Sequence, residues 1–176
     1  MKTANHKINL NFSKKAPICN GFSLPEIIIV ATIIGVLTTI ALPNYLSSLR
    51  FAKQKEAEIV ISTLLTSVMS FTDENGRTPK GWDDLNYTQP LKIANGIASG
   101  NSYSQVLLPG ENYHLKGTIS ADTIVFEADS SDNWNVVSCI NTSNGLSAIK
   151  KGPIKENNKP EAKQVIDANT DCPSTT

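Results

Sequence analysis

One stretch limits this chain more than any other. From Phe22 to Leu42 it reads FSLPEIIIVATIIGVLTTIAL, and Glu26 is its only ionisable residue. About 20 mostly apolar residues in helical form span the hydrocarbon of a bilayer. Ahead of the run, residues 1–21 carry Lys2, Lys7, Lys14 and Lys15 and no acid. The rest of the 176-residue chain holds 12 basic and 16 acidic side chains, a balance of −4 that cancels the +4 in front. A cationic lead before an apolar span places the lead in the cytoplasm. Secretory signal peptides have a shorter apolar core and a small-residue cleavage site, whereas this run continues into Pro43-Asn44-Tyr45-Leu46. A net charge of zero excludes a strongly basic nucleic-acid binder at the level of the whole chain.

Two residues within the run need a physical reason. A carboxyl group in an apolar helix is costly unless paired, so Glu26 is a functional candidate. Pro25 is harmless only in a helix's first turn, where backbone N–H groups lack intrahelical partners. The helix is therefore expected to begin close to Phe22. Gly35 and Pro43 both weaken helix continuity, and either a kink or local melting fits them.

Lys14-Lys15, then Gly21-Phe22-Ser23-Leu24-Pro25-Glu26, then the apolar run, resembles the class III signal of type IV pilins and pseudopilins. Pro43-Asn44-Tyr45 also resembles the family. The resemblance covers roughly residues 14–60. It implies that a prepilin peptidase cuts between Gly21 and Phe22 and that Phe22 is then N-methylated. The new α-amino group is cationic near neutral pH. Glu26 of one subunit can pair with that amine on its neighbour and so set an axial register. Pro25 takes a position that is often Ile or Leu in the family, and the leader is longer than in many members.

After the run the pattern changes. Leu46, Leu49, Ala52, Ala57, Val60, Leu64, Val68 and Phe71 recur at three- to five-residue steps, with charged residues between them. This predicts an amphipathic helix continuing to about residue 75, with Asn75-Gly76 as its stop. Residues 77–111 read as a loop-rich connection, anchored by Trp82 and Leu85. Tyr113–Ile119, Thr123–Ala128 and Trp134–Ile140 read as strands of an antiparallel meander, with Leu146–Lys150 as a weaker fourth. The expected fold is α+β: a long N-terminal helix, apolar then amphipathic, packed on a small antiparallel sheet of three to four strands. The expected divisions are a leader 1–21, a membrane or filament-core helix 22–46, an amphipathic helix 47–76 and a head 77–176.

Removal of the leader takes Cys19 with it and leaves Cys139 and Cys172. An extracytoplasmic head allows these two to bond, closing a loop that resembles the disulfide-bounded C-terminal region of many type IV pilins. No catalytic residue, cofactor or metal is expected. His6 lies in the leader and His114 on a strand. Glu127, Asp129 and Asp132 form an acidic turn whose oxygens suit calcium, but a solvated turn is the simpler reading. Lys150, Lys151, Lys155, Lys159 and Lys163 bias the tail towards phosphate, as in DNA binding, or are plain solvated surface.

The expected function is a non-enzymatic pilus subunit. It would insert in the inner membrane as a precursor with its head outside, then polymerise with copies of itself into a surface filament. The expected partners are prepilin peptidase, the assembly machinery and other minor pilins. The alternatives are a pseudopilin of a type II secretion system and, from another class, a single-span membrane protein with an extracytoplasmic binding domain.

Overall fold

The computed structural model describes residues 21–153 and 163–173. The expectations for residues 1–20, among them Cys19 and His6, and for Lys155 and Lys159 lie outside the described residues. The chain divides into two compact units between Pro43 and Asn44.

Helix α1 runs Leu24–Asn75 and contributes to both. It begins two residues later than the earliest start expected, because Gly21, Phe22 and Ser23 are not helical. The Ser23 carbonyl accepts the first turn's bonds from Glu26 N at 3.1 Å and Ile27 N at 3.3 Å. Pro25 therefore sits in the first turn, where its missing N–H costs nothing. Gly35 and Pro43 both lie inside continuous helix.

In the first unit the helix is exposed at every described position. Its hydroxyls are satisfied within the helix itself. Thr32 Oγ1 donates to Ile28 O at 2.8 Å, Thr38 to Ile34 O at 2.7 Å and Thr39 to Val36 O at 2.7 Å. A segment bound for hydrocarbon has no water to take those protons, so back-bonding to the i−3 and i−4 carbonyls lets threonine enter it.

The second unit contains the remainder of α1 and a head. The residues of α1 that are buried are Gln54, Ala57, Ile61, Leu64, Leu65, Ser67, Val68 and Phe71. The expected stripe is thus only partly right. Ala57, Leu64, Val68 and Phe71 are buried and Val60 is partly buried, but Leu46, Leu49 and Ala52 are exposed. The head's cover starts at Gln54. Gly76 closes the helix with φ 64° and an N–H to Thr72 O at 2.8 Å, the left-handed cap its sequence predicts.

A short helix, α2 (Trp82–Asn86), follows, then a two-stranded ribbon, β1 (Lys92–Ile93) with β2 (Gly96–Ile97). The main sheet has five antiparallel strands in sequence order: β3 (Val106–Leu107), β4 (His114–Ser120), β5 (Thr123–Asp129), β6 (Val136–Asn141) and β7 (Ser147–Lys151). The meander is as the sequence suggests, with one additional edge strand, β3. A four-residue helix, α3 (Ala168–Asp171), lies near the end.

Alternation along the central strands points Ile124, Phe126, Ala128, Val136 and Ile140 at the buried face of α1. Trp82, Tyr103 and Phe126 complete the core through ring contacts at 4.9–6.2 Å between centroids. Gly117 makes this possible, since a Cβ there would meet Tyr103 Cβ at 2.8 Å and the Phe126 ring at 3.0 Å.

Candidate functional site

The candidate site of the first unit is its bare surface. Phe22 is 78% exposed, and Ile27, Ile28, Ile29, Val30, Ile33, Ile34, Val36, Leu37 and Ile40 are all about half exposed or more. α1 is long and apolar enough to cross a membrane, and its most apolar window is wholly uncovered. Soluble monomers rarely expose apolar patches beyond a few hundred Å². Each fully buried large apolar side chain contributes about 1.5–3 kcal/mol, so this surface has a large unspent driving force for burial. Glu26 stands among these residues in the first turn, also exposed. A carboxylate there is favoured by the positive end of the helix dipole.

In the second unit the chain's return path is the feature that stands out. Cys139 of β6 is bonded to Cys172, across 33 positions of sequence with a Cα–Cα distance of 6.1 Å. Every residue of β6 is buried. Val136 and Ile140 face the core shared with α1. Val137, Cys139 and Asn141 point the other way, and the returning segment meets this face at Cys139 through the disulfide and at Asn141, whose Nδ2 donates to Pro173 O at 3.3 Å. That segment is held at several points. Asn135 and Gln164 exchange two bonds: Asn135 Nδ2 donates to Gln164 O at 2.8 Å, and Gln164 N donates to Asn135 Oδ1 at 2.9 Å. Asn144 Nδ2 donates to Pro173 O at 2.9 Å. Lys150 pairs with Asp171 at 2.6 Å, and Lys163 pairs with Asp129.

Gln54 ties this region to α1. Its buried amide donates to Asn135 O at 3.2 Å and to Gly152 O. Beside it, Glu58 receives Lys55 at 3.0 Å and Lys151 at 3.1 Å. Partial burial works against the Glu58 charge, but the two ammonium groups outweigh it and hold its carboxyl below the usual range. At the other end of α1, Arg77 forks onto Asp84 at 2.8 and 2.9 Å and depresses its carboxyl, against the opposing effect of burial. Burial and the nearby Asp132 charge push the Tyr113 hydroxyl up to about 12; it donates to Trp134 O at 2.6 Å.

The structure does not gather the acidic turn into a cation site. Glu127 pairs with Lys116 at 2.9 Å, Asp129 with Lys163, and Asp132 accepts from Ser130 Oγ at 2.6 Å. Nor is the basic tail an open patch among the described residues, because Lys150, Lys151 and Lys163 each hold a carboxylate. His114 is an exposed residue of β4. Sequence reasoning missed Gln54, Asn135 and Gln164. The only signal available was a glutamine on the apolar side of the amphipathic stretch.

A long helix, bare at its start and laid on an antiparallel sheet further on, with a disulfide closing the C-terminal region, defines the pilin-like α+β class. The comparison with known proteins agrees. The chain is 38% identical over 68 residues to the type IV major pilin protein PilA of Myxococcus xanthus (strain DK1622), a stretch covering 39% of this chain and 31% of that protein. This chain therefore has type IV pilin homology, and the match spans about a third of its relative's length. No family model matches the sequence. No solved structure matches it either.

Proposed function

We propose that this chain is the structural subunit of a type IV pilus, made as a membrane-inserted precursor and polymerised into a helical surface filament. The observation that carries the reading is the wholly uncovered apolar segment of α1 with Glu26 in its first turn. Copies of the same helix give such a surface cover, and a bilayer gives it cover beforehand. In this reading prepilin peptidase cuts the Gly21–Phe22 bond and Phe22 is methylated. Phe22 and Ser23 precede the helix and are exposed, which supports access to that bond. The α-amino group of Phe22 then lies on the chain close to Glu26, so within one subunit the pair is local. Between subunits the same two groups mark a fixed axial step. The inner membrane, the assembly machinery and other minor pilins are the partners. Gly35 and Pro43 are the positions where the helix kinks or melts if assembly demands it.

The test is the N-terminus and intact mass of the chain from sheared surface material and from the membrane fraction of native cells. A chain starting at methylated Phe22 and abundant in the sheared fraction is expected. The same processed chain confined to membranes would instead make it a pseudopilin or a minor subunit. A chain still starting at Met1 beside an active peptidase would refute the pilus reading in favour of a single-span membrane protein.

A further inference from the structure

The end of the head that follows the apolar segment carries a combination of residues that the filament reading leaves unused. A concavity of about 150 Å³ is lined by Arg50, Lys53, Asn112, Tyr113, Ser130, Ser131, Asp132 and Trp134. All of these belong to the second unit. Arg50 and Lys53 lie on α1 four and seven residues past Leu46, within about 10 Å of it along the helix. Unlike Lys55, Lys150, Lys151 and Lys163, these two cations hold no carboxylate among the described residues. Asp132, the carboxylate lining the concavity, is engaged in its own turn by Ser130 Oγ at 2.6 Å and Trp134 N at 3.2 Å. It attracts Arg50 through space without contacting it. Trp134 is half-buried, and Tyr45 near the end of the apolar run is 64% exposed.

Each of these residue types belongs at the boundary between hydrocarbon and water. Tryptophan and tyrosine concentrate at that level. Arginine and lysine next to a span attract anionic headgroups, each by roughly a fivefold gain in binding. Guanidinium and ammonium groups both match phosphate oxygens. We propose that, before assembly, Arg50, Lys53 and Trp134 hold the phosphate headgroup of an anionic phospholipid in the extracytoplasmic leaflet. The site seats the head on the membrane and releases it when the subunit leaves the bilayer. The proposal rests on the reading that residues 22–46 span a membrane before assembly.

The full chain provides its own reporter. Trp82 is fully buried, so lipid quenching of tryptophan emission reports Trp134. The chain is reconstituted in phosphatidylcholine vesicles with increasing phosphatidylglycerol, with bromine placed near the carbonyl end of the acyl chains. Quenching is expected to rise with the anionic fraction and to fall with salt. Substituting Arg50→Gln together with Lys53→Gln is expected to raise the anionic fraction needed for half-quenching about tenfold or more. Inorganic phosphate at millimolar concentration is expected to leave the wild-type quenching in place. Quenching that ignores lipid charge, or a double variant that matches wild type, overturns the proposal. Displacement by inorganic phosphate would assign the site to the free anion instead. A double variant with unchanged quenching that is lost from sheared filaments would assign the patch to a neighbouring copy. Extraction of the wild-type chain from vesicles at alkaline pH would remove the spanning reading itself, which separates that failure from failure of the headgroup site.

Discussion

At the scale of single residues, position in the chain decides what a polar group is for. Glu26 and Ser138 show the contrast. Glu26 is exposed on an apolar helix and is costly in any apolar surrounding unless a cation meets it. If the Phe22 amine of a neighbour is that cation, Glu26→Ala leaves insertion and cleavage intact and blocks entry into filaments. The expected result is processed chain in the membrane fraction and almost none in the sheared fraction, read by intact mass. Normal amounts in sheared filaments would end the register role. Ser138 is the opposite case. Its side chain is fully buried among Val136, Ile140 and Phe126, and its hydroxyl has no partner. An orphan hydroxyl costs about 1–3 kcal/mol that an alanine does not incur. Ser138→Ala is therefore expected to match wild type or to gain up to about 1 kcal/mol, measured from the thermal unfolding of the full chain in detergent by tryptophan emission. Neither role is visible from residue type alone. Glu26 was legible because it interrupts an apolar run, whereas Ser138 reads as an ordinary polar residue of a half-exposed strand.

At the scale of elements, α1 shows how far a hydrophobic pattern can be trusted. Its existence and its end at Asn75-Gly76 follow from the sequence because the signals are long and redundant. The face it buries does not. Ile59, Val60 and Ile61 are consecutive, so the pattern allows more than one phase, and the structure leaves Ile59 65% exposed while Ile61 is fully buried. Leu46, Leu49 and Ala52 fit the same stripe, yet they lie before the head's cover begins at Gln54. The stripe therefore joins positions with two different destinations, the head's own core and whatever covers the bare segment. The distinction is measurable. Ile61→Ala opens a cavity in a close-packed core and is expected to cost about 2–4 kcal/mol of head stability. Leu49→Ala removes a side chain 39% exposed and is expected to change head stability by less than about 0.5 kcal/mol. Equal costs at the two sites, in the same detergent unfolding assay, would show that the cover extends below Gln54. The short strands β1, β2 and β3 were illegible for a simpler reason. Two residues carry no period.

At the scale of the whole molecule, the C-terminal segment is what the composition conceals most. Its sequence is polar and rich in proline, and it suggests a tail with little to bury. In the structure residues 163–173 cross the outer face of β6, and their bonds to Asn135, Asn144, Lys150 and Asp129 are all polar. That explains the illegibility, since a segment held by hydrogen bonds and ion pairs has no apolar pattern. It also makes the disulfide more consequential. Ion pairs as partly open to solvent as Lys150–Asp171 and Lys163–Asp129 contribute little each. Closing a loop over 33 positions limits the unfolded chain by an amount worth roughly 3–4 kcal/mol in chain-entropy models. Cys139→Ser together with Cys172→Ser is thus expected to lower head stability by about that amount. It should also free the segment as a unit, exposing Val137 and Asn141 on the outer face of β6. Limited proteolysis of the full chain in detergent is expected to cut the double variant after Lys163 long before the α1–sheet core unfolds. Wild type is expected to resist until global unfolding. Loss of stability without early cutting would place the effect in the unfolded chain alone. Early cutting without loss of stability would mean that the segment adds nothing to the core it covers. The expected outcome is both together, because β6 is the strand that joins the two: one face completes the core under α1, and the other is sheltered only while Cys172 keeps the segment over it.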